Sequence, residues 1–529
     1  LISLSGATSA NYTYNGLDTR VSKIEGGATT DFVRDGVGVT APVIRDSNAS
    51  YTPGVSERRG STSTWNFSSL KNAVSPRKAP EPAAKPAPEP EIVVGLDIGT
   101  TKICAVVGRR NEHNKVDILG MGSAVSQGVN RGTVANIELT VQSIKQAIAE
   151  ASARSGVDIR VVNVGIAGQH IRSHQQRNMM TRQSRETEIS KADVNRLLQE
   201  MYRVPQQAGY EIIHVLPQDY TVDGEKDITN PAGMSGITLE GMFHVITGSV
   251  GAIMNIKRCV ELSGLLINGL TLEPLASAEA VLGQDEKDAG VVLVDIGGGT
   301  TDIAIFHQNI IRHTAVIPLG GNIITQDIRE GCSVLFDQAE ALKVRFGSAL
   351  AHESMANEVV SIPGIRGRDP KEISLLTLAN IINARVKEII QHVQYEIRSS
   401  GYEKRLSAGI VLTGGGARLK NIKHLFSLMT GMEACVGDSN GHLSQAPDLI
   451  KSPVYATVCG LVLTSLSKMD ADERTKNGPG NSVPISESGN DDESARTPVR
   501  EGLLDRLLSA LPGLFIDPEL GSKNGPHRG

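Results

Sequence analysis

VVGLDIGTTKICAVVG (93–108) and VVLVDIGGGTTDIAIF (291–306) share one arrangement. In each, an apolar run ends in an aspartate, passes through glycines and threonines, and resumes as a second apolar run. Buried strands explain the apolar runs, and the glycines mark a tight turn between them. One such hairpin says little, since a structural turn with a capping carboxylate has the same pattern. Two in register, each opening a strand block, predict a duplicated α/β domain whose halves face each other across a cleft.

The turn chemistry says what such a cleft holds. Glycine tolerates positive φ and has no Cβ, so the N–H groups of a tight turn can converge on a phosphate, and threonine hydroxyls add donors. An aspartate repels a polyphosphate but can orient the water shell of a magnesium ion that neutralises it. Asp97 and Asp295 are thus placed for a metal–nucleotide between them. The pattern G-x-x-x-x-G-K-[ST] does not occur, and strand–turn–strand replaces the strand–loop–helix of a P-loop. A third element, GIVLTGGGARLKNIKHLF (409–426), reads as strand, glycine turn and helix, suited to closing over the sugar and adenine side.

The 529 residues predict two to four domains. Residues 1–74 are rich in Ser, Thr, Gly and Asn; NYTYNGLDTRVSKIEGG with TTDFVRDG weakly resembles one YD-type repeat, but a single copy cannot stack, so a structureless extension is expected. SPRKAPEPAAKPAPEP (75–90) reads as an extended linker. Residues 91–467 alternate strands with helices: a first half over 91–174 and 257–289, an inserted α+β subdomain over 175–256, and a second half over 290–467 with a lobe at about 325–400. Residues 468–499 hold few large apolar side chains and should stay disordered, 500–515 form an amphipathic segment, and 516–529 a short tail.

Other chemistries find no support. The net charge is −5 with no long basic run, against nucleic acid as a partner. Five dispersed cysteines without C-x-x-C read as reduced, buried thiols of a cytoplasmic protein. The histidines form no zinc-like cluster, no apolar stretch reaches bilayer-spanning length, and no secretory leader is visible.

Beyond the hairpins, INGLTLEPLASAEAVL (267–282), IPLGGNIITQDI (317–328), AEALKVRFG (339–347), AGIVLTGGGARL and SPVYATVCGL (452–461) give 91–467 a resemblance to the bacterial cell-division family FtsA, of the actin-like (ribonuclease H-like) ATPase superfamily. HVLPQDYTVDG and NPAGMSGITLEGMFHVIT (230–247) resemble that family's SHS2-like insertion. By position the resemblance implies Gly99, Thr100, Thr101 and Lys102 in the first phosphate loop, and Gly297, Gly298, Gly299 and Thr300 in the second. Gly414, Gly415 and Gly416 would meet the adenosine, and Asp97 and Asp295 would serve Mg2+. Glu273 matches the residue that orients attacking water; a carboxylate favoured at a helix start beside Pro274 is the other reading. Glu340 and Lys343 match nucleoside contacts, while an i,i+3 ion pair has the same spacing. The family implies ATP binding with slow hydrolysis at best.

Leu503, Leu504, Leu507, Leu508 and Leu511 fall on one face of about 140° at helical spacing, with Leu514 and Phe515 beyond Pro512. The alternatives are a helix docked on the protein's own core and an interfacial membrane helix, the latter matching the family's C-terminal anchor. Its basic face is thin, so apolar burial and the avidity of a polymer would carry binding. The resemblance further implies a homopolymer at the cytoplasmic membrane face, other divisome proteins, and the C-terminal peptide of FtsZ as partners. Arg385 and Glu388, in ANIINARVKEIIQHV, are candidate FtsZ contacts or an ordinary solvated helix face. A PilM-type pilus scaffold and a small-molecule kinase of the superfamily are the competing functions.

Overall fold

The computed structural model describes five strands within residues 2–46 and then residues 91–476, apart from 114, 183–186, 353–354, 365–368, 440, 442 and 445. Segment 500–515, with its leucines and Phe515, lies outside the described residues. Residues 1–87 and 88–529 are separate compact units. In the first, β1 (Ile2–Ser5), β2 (Asn11–Tyr14), β3 (Arg20–Glu25), β4 (Ala28–Arg34) and β5 (Val43–Asp46) pair antiparallel in sequence order. The alternation in NYTYNGLDTRVSKIEGG falls on β2 and β3.

The second unit opens with β6 (Ile92–Ile98), β7 (Lys102–Arg110) and β8 (Val116–Val125), then a small ribbon of β9 (Val129–Asn130) and β10 (Thr133–Val134). Helix α1 (Ile137–Ser155) starts where the Asn136 side chain accepts from the Leu139 N–H and stops at left-handed Gly156. β11 (Val161–Ile166) follows. The insertion then begins at β12 (Ile171–Thr181), continues through α2 (Lys191–Met201), β13 (Tyr210–Val222) and β14 (Glu225–Ile228), and ends with β15 (Thr238–Ser249). Its antiparallel sheet runs β12-β15-β13-β14. The limits differ from the expected 175–256. Polar β12 (IRSHQQRNMMT) hides its half-buried alternation, and α3 (Val250–Leu262) already packs on α1 in the first half.

β16 (Leu266–Leu272) completes the first sheet, in the order β16-β11-β6-β7-β8, and leads directly into α4 (Glu273–Val281) and α5 (Gln284–Ala289). The second half repeats the plan with β17 (Val291–Ile296), β18 (Thr301–His307) and β19 (Ile310–Ile317). Its inserted lobe holds α6 (Gly321–Cys332), α7 (Phe336–Phe346), the hairpin of β20 (Val359–Ile362) and β21 (Lys371–Ser374), and α8 (Leu375–Ser399). β22 (Ile410–Thr413), α9 (Ile422–Thr430) and β23 (Ala434–Val436) close the sheet β19-β18-β17-β22-β23. Finally α10 (Ala456–Lys476), which runs past the expected limit at 467, crosses back to pack on α4 and β6.

The two five-stranded sheets of the second unit thus have the same order, with β6, β7 and β8, like β17, β18 and β19, pairing antiparallel and the two strands on the other side pairing parallel. β17 is buried along its whole length and β6 along all but its first residue, as expected of strands covered on both faces. The duplication inferred from the two hairpins is therefore a duplication of whole sheets.

Candidate functional site

The two hairpins meet. A Cβ on Gly298 would lie 1.9 Å from Thr101 Oγ1, and one on Gly299 would lie 2.8 Å from the Arg131 Cα, so the turns interlock with no room for a side chain. The Gly132 N–H donates to Thr100 Oγ1 at 3.1 Å, tying the first turn to the β9–β10 ribbon. The second turn is braced from behind, where the Gly321 and Asn322 amides donate to the carbonyls of Gly297 and Gly298 at 2.9 and 2.8 Å.

Between the turns lies a cavity of about 570 Å3. All the residues expected in the two phosphate loops line it, with Asp97, Asp295, Glu273, Glu340, Lys343 and Gly414 to Gly416. Arg385 and Glu388 do not, although their neighbours Val386 and Ile389 do.

Asp97 and Asp295 are the last residues but one of β6 and β17 and are each 7% exposed. Two hydroxyls hold Asp295: Ser277 Oγ of α4 donates to its Oδ2 at 2.7 Å and Thr457 Oγ1 of α10 at 3.3 Å. Burial pushes its carboxyl up to about 6 despite these donors, and nearby Asp97 adds to the rise. Burial likewise raises Asp97, against the pull of Lys102. Glu273 is driven well above the usual carboxylate range by burial first, then by Asp97, Asp302 and Asp295. It is both the first residue of α4, with Pro274 next, and a wall of the cavity.

Sequence reasoning missed Asp302. It lies opposite Asp295 across the hairpin, and burial with the charge of Asp295 pushes it up to about 8. Its signal was present: one acidic residue within an otherwise buried apolar strand. Ser277 and Thr457 left none, because a hydroxyl on a buried helix face reads as ordinary packing.

Asp97 raises Asp295, Asp302 and Glu273, and a cation beside this group would favour their ionised forms. Lys102 provides part of that charge, with its Nζ 4.0 Å from the centroid of the Tyr455 ring and buried without a hydrogen-bond partner. Asp302 Oδ1 is also buried and unpartnered. Among the described residues no cluster of His, Cys, Asp or Glu could ligate a metal directly. A carboxylate set of this kind would reach a magnesium ion through the ion's own waters.

On the far wall, Lys343 Nζ donates to Glu340 Oε2 at 2.7 Å, to Gly321 O at 2.9 Å and to Thr325 Oγ1 at 2.7 Å. The i,i+3 ion pair therefore exists, and it faces the cavity. The third glycine element differs from expectation. A 3-10 turn, Gly415–Arg418, follows β22, and α9 starts only at Ile422. Gly414 has φ 81°, and a Cβ there would lie 2.3 Å from Asp295 Oδ1. The turn thus comes between β22 and the helix, and it lines the cleft together with Ile422 at the start of α9.

Arg385 and Glu388 of α8 are mutually bonded, and Arg385 also grips Asp327 of α6 through Nε at 2.6 Å and Nη2 at 2.9 Å. This fork clamps two helices of the lobe.

Among known proteins, the family model "Cell division protein FtsA" matches residues 292–460 and "SHS2 domain inserted in FTSA" matches 168–247. Cell division protein FtsA of Pseudomonas aeruginosa is 40% identical over 425 residues, 80% of this chain and 98% of that protein. The Escherichia coli K12 protein of the same name is 34% identical over 383 residues, 71% of this chain and 90% of that one. The solved PilM-PilN type IV pilus biogenesis complex shares the fold at 16% identity, with a TM-score of 0.52 over 71% of this chain and 98% of that chain. Identity of this order across nearly the full length of a relative settles kinship: the chain is a member of the FtsA family of actin-like cell division proteins.

Proposed function

We propose that the cleft binds ATP with Mg2+ and that the nucleotide state sets the assembly of this division protein on the membrane. The observation that carries this is the interlock of two glycine-turn hairpins, one from each duplicated half, over a buried carboxylate cluster and a lysine whose ammonium has no hydrogen-bond partner. Gly99 to Lys102 and Gly297 to Thr300 would bind the phosphates, and Lys102 would neutralise part of their charge. Asp97, Asp295 and Asp302 would orient the ion's water shell, the ion supplying charge neutralisation at the phosphates. Glu340, Lys343 and the Gly414–Gly416 turn would hold the nucleoside. Glu273 would orient a water for slow turnover. Its raised affinity for protons fits a carboxyl that accepts a hydrogen bond only once a cation enters the cluster.

Outside the cleft, the leucine-faced segment 500–515 would tether polymers of the chain to the cytoplasmic membrane face, joined by a linker whose reach is about 30 Å. The C-terminal peptide of FtsZ is the proposed partner of the second-half lobe. Arg385 and Glu388 support the lobe that would receive it, since their side chains are already committed to Asp327 and to each other. Family membership supports these roles.

Titration calorimetry with Mg-ATP tests the core of the reading. Asp295→Asn should raise the dissociation constant at least about tenfold, because it removes charge from the water shell of the ion. Nucleotide at a hundred times its Kd should stabilise the parent by about 2.7 kcal/mol and the variant by much less. Equal affinity in the two proteins would remove the metal-nucleotide assignment.

A further inference from the structure

Strand β13 of the inserted subdomain carries two bulges. Its register against β15 shifts between Ile212 and His214, and again between Pro217 and Asp219. A bulge re-aims the side chains beside it, and here each one aims polar groups at a different half of the molecule. Beside the second, Gln218 Nε2 donates to Ile311 O at 2.5 Å and Asp219 accepts from Arg312 Nη1 at 2.7 Å, both on β19 of the second half. Beside the first, His214 Nε2 accepts the Leu272 N–H of the first half at 3.0 Å.

Leu272 is no neutral anchor. It is fully buried, ends the edge strand β16, and is the residue from which Glu273 and α4 spring. β16 pairs only with β11 in its sheet, so its outer N–H groups need partners from elsewhere. The N-cap position at Leu272 has no side-chain cap of its own. Glu273 then crosses Gly165 of β11, where a Cβ would come within 3.0 Å of its Cγ. The hydrogen bond from Leu272 to His214 therefore sets where the Glu273 backbone stands.

We propose that His214 is a positioning residue for Glu273, holding it at the phosphate cleft through the Leu272 amide and so making hydrolysis depend on how the inserted subdomain is seated. This rests on the reading of Glu273 as the water-orienting group. For Nε2 to accept, the imidazole must be neutral with its proton on Nδ1. Burial, with the charge of Lys468 beside it, lowers the ring to about 4, so it stays an acceptor at every ordinary pH. Because the same strand grips β19, any movement of the second half that drags β13 would be felt at Glu273.

The test uses the full chain and single-turnover decay of bound ATP with Mg2+, followed to completion, alongside ATP affinity and amide hydrogen exchange at Leu272. His214→Ala should slow hydrolysis about tenfold, the cost of a small misplacement of a reacting group, while affinity changes less than about twofold. Exchange at Leu272 should speed up. His214→Gln, whose amide oxygen reaches the place of Nε2, should restore both; His214→Asn, one bond short, should restore neither. Where the alanine variant does not fold, the contrast between glutamine and asparagine decides by itself. Glu273→Gln separates the two levels. If it hydrolyses ATP like the parent, Glu273 has no such role and the inference loses its basis. If it is impaired while His214→Ala or His214→Asn equals the parent, the link through His214 alone is overturned.

Discussion

Asp302 takes in the second hairpin the place that Cys104 takes in the first, since Asp295 pairs with Asp302 and Asp97 with Cys104. Duplicated backbones thus carry unequal chemistry, and the fourth carboxylate exists in one half only. That residue carries a pH signature. Its value near 8 means the folded state keeps a proton that the unfolded chain releases near the usual carboxylate value. Its contribution is therefore complete in acid and is lost as pH rises toward 8; Asp295 behaves likewise but levels off near 6. Between pH 6 and 8 the nucleotide-free protein should lose about 2 kcal/mol through Asp302. Asp302→Asn should flatten that fall, and urea titrations across the range would show it. Parallel curves for parent and variant would mean the carboxyl ionises normally. The glycines of the turns were legible because their spacing repeats. Asp302 was hard to weigh, because one polar residue in a buried run also fits a structural carboxylate.

At the scale of elements, α4 and α10 decide how Asp295 is held. A Cβ on Gly460 would come within 1.7 Å of the Ala276 carbonyl oxygen, so the two helices cross backbone to backbone. Only at that distance do Ser277 of α4 and Thr457 of α10 share one carboxylate oxygen; their own oxygens are 3.1 Å apart. Gly460→Ala should therefore destabilise the fold by about 1–3 kcal/mol, the usual range for overpacking. It should also weaken ATP binding although residue 460 is not among those lining the cavity. A melting temperature and ATP affinity matching the parent would show that the helices can part without consequence. Nothing in SPVYATVCGL announces this crossing, since a glycine in a helix reads first as a weak helix former. α9 shows the opposite problem. GGGARLKNI reads as a turn running straight into a helix, but left-handed Gly414 and the 3-10 turn delay the helix to Ile422.

In the unit of residues 88–529, two sheets of one topology and a helix returning from the C-terminal side enclose the cleft, and the four-stranded insertion contributes no residue to its lining. The described residues contain no helix long and apolar enough to cross a bilayer. The proposed membrane attachment rests on the leucine face of the segment 500–515. Leu507→Glu with Leu508→Glu should abolish co-sedimentation with anionic vesicles in the presence of ATP while leaving nucleotide affinity unchanged. Because the basic face is thin, raising salt should weaken the parent's binding only about twofold. Co-sedimentation that survives both glutamates would move the anchor elsewhere.

The sequence by itself determined the duplication, the positions of the glycine turns, the strand-end carboxylates and the existence of an insertion. These rest on local physics: apolar period, turn stereochemistry and the cost of burying charge without a partner. Tertiary structure alone decided that Thr101 lies against Gly298, that Ser277 and Thr457 converge on Asp295, and that His214 reaches Leu272. Those pairs are 18 to 197 residues apart. No local pattern encodes which side chains meet when helices cross or when a bulge turns a strand, because that depends on the packing of the whole core.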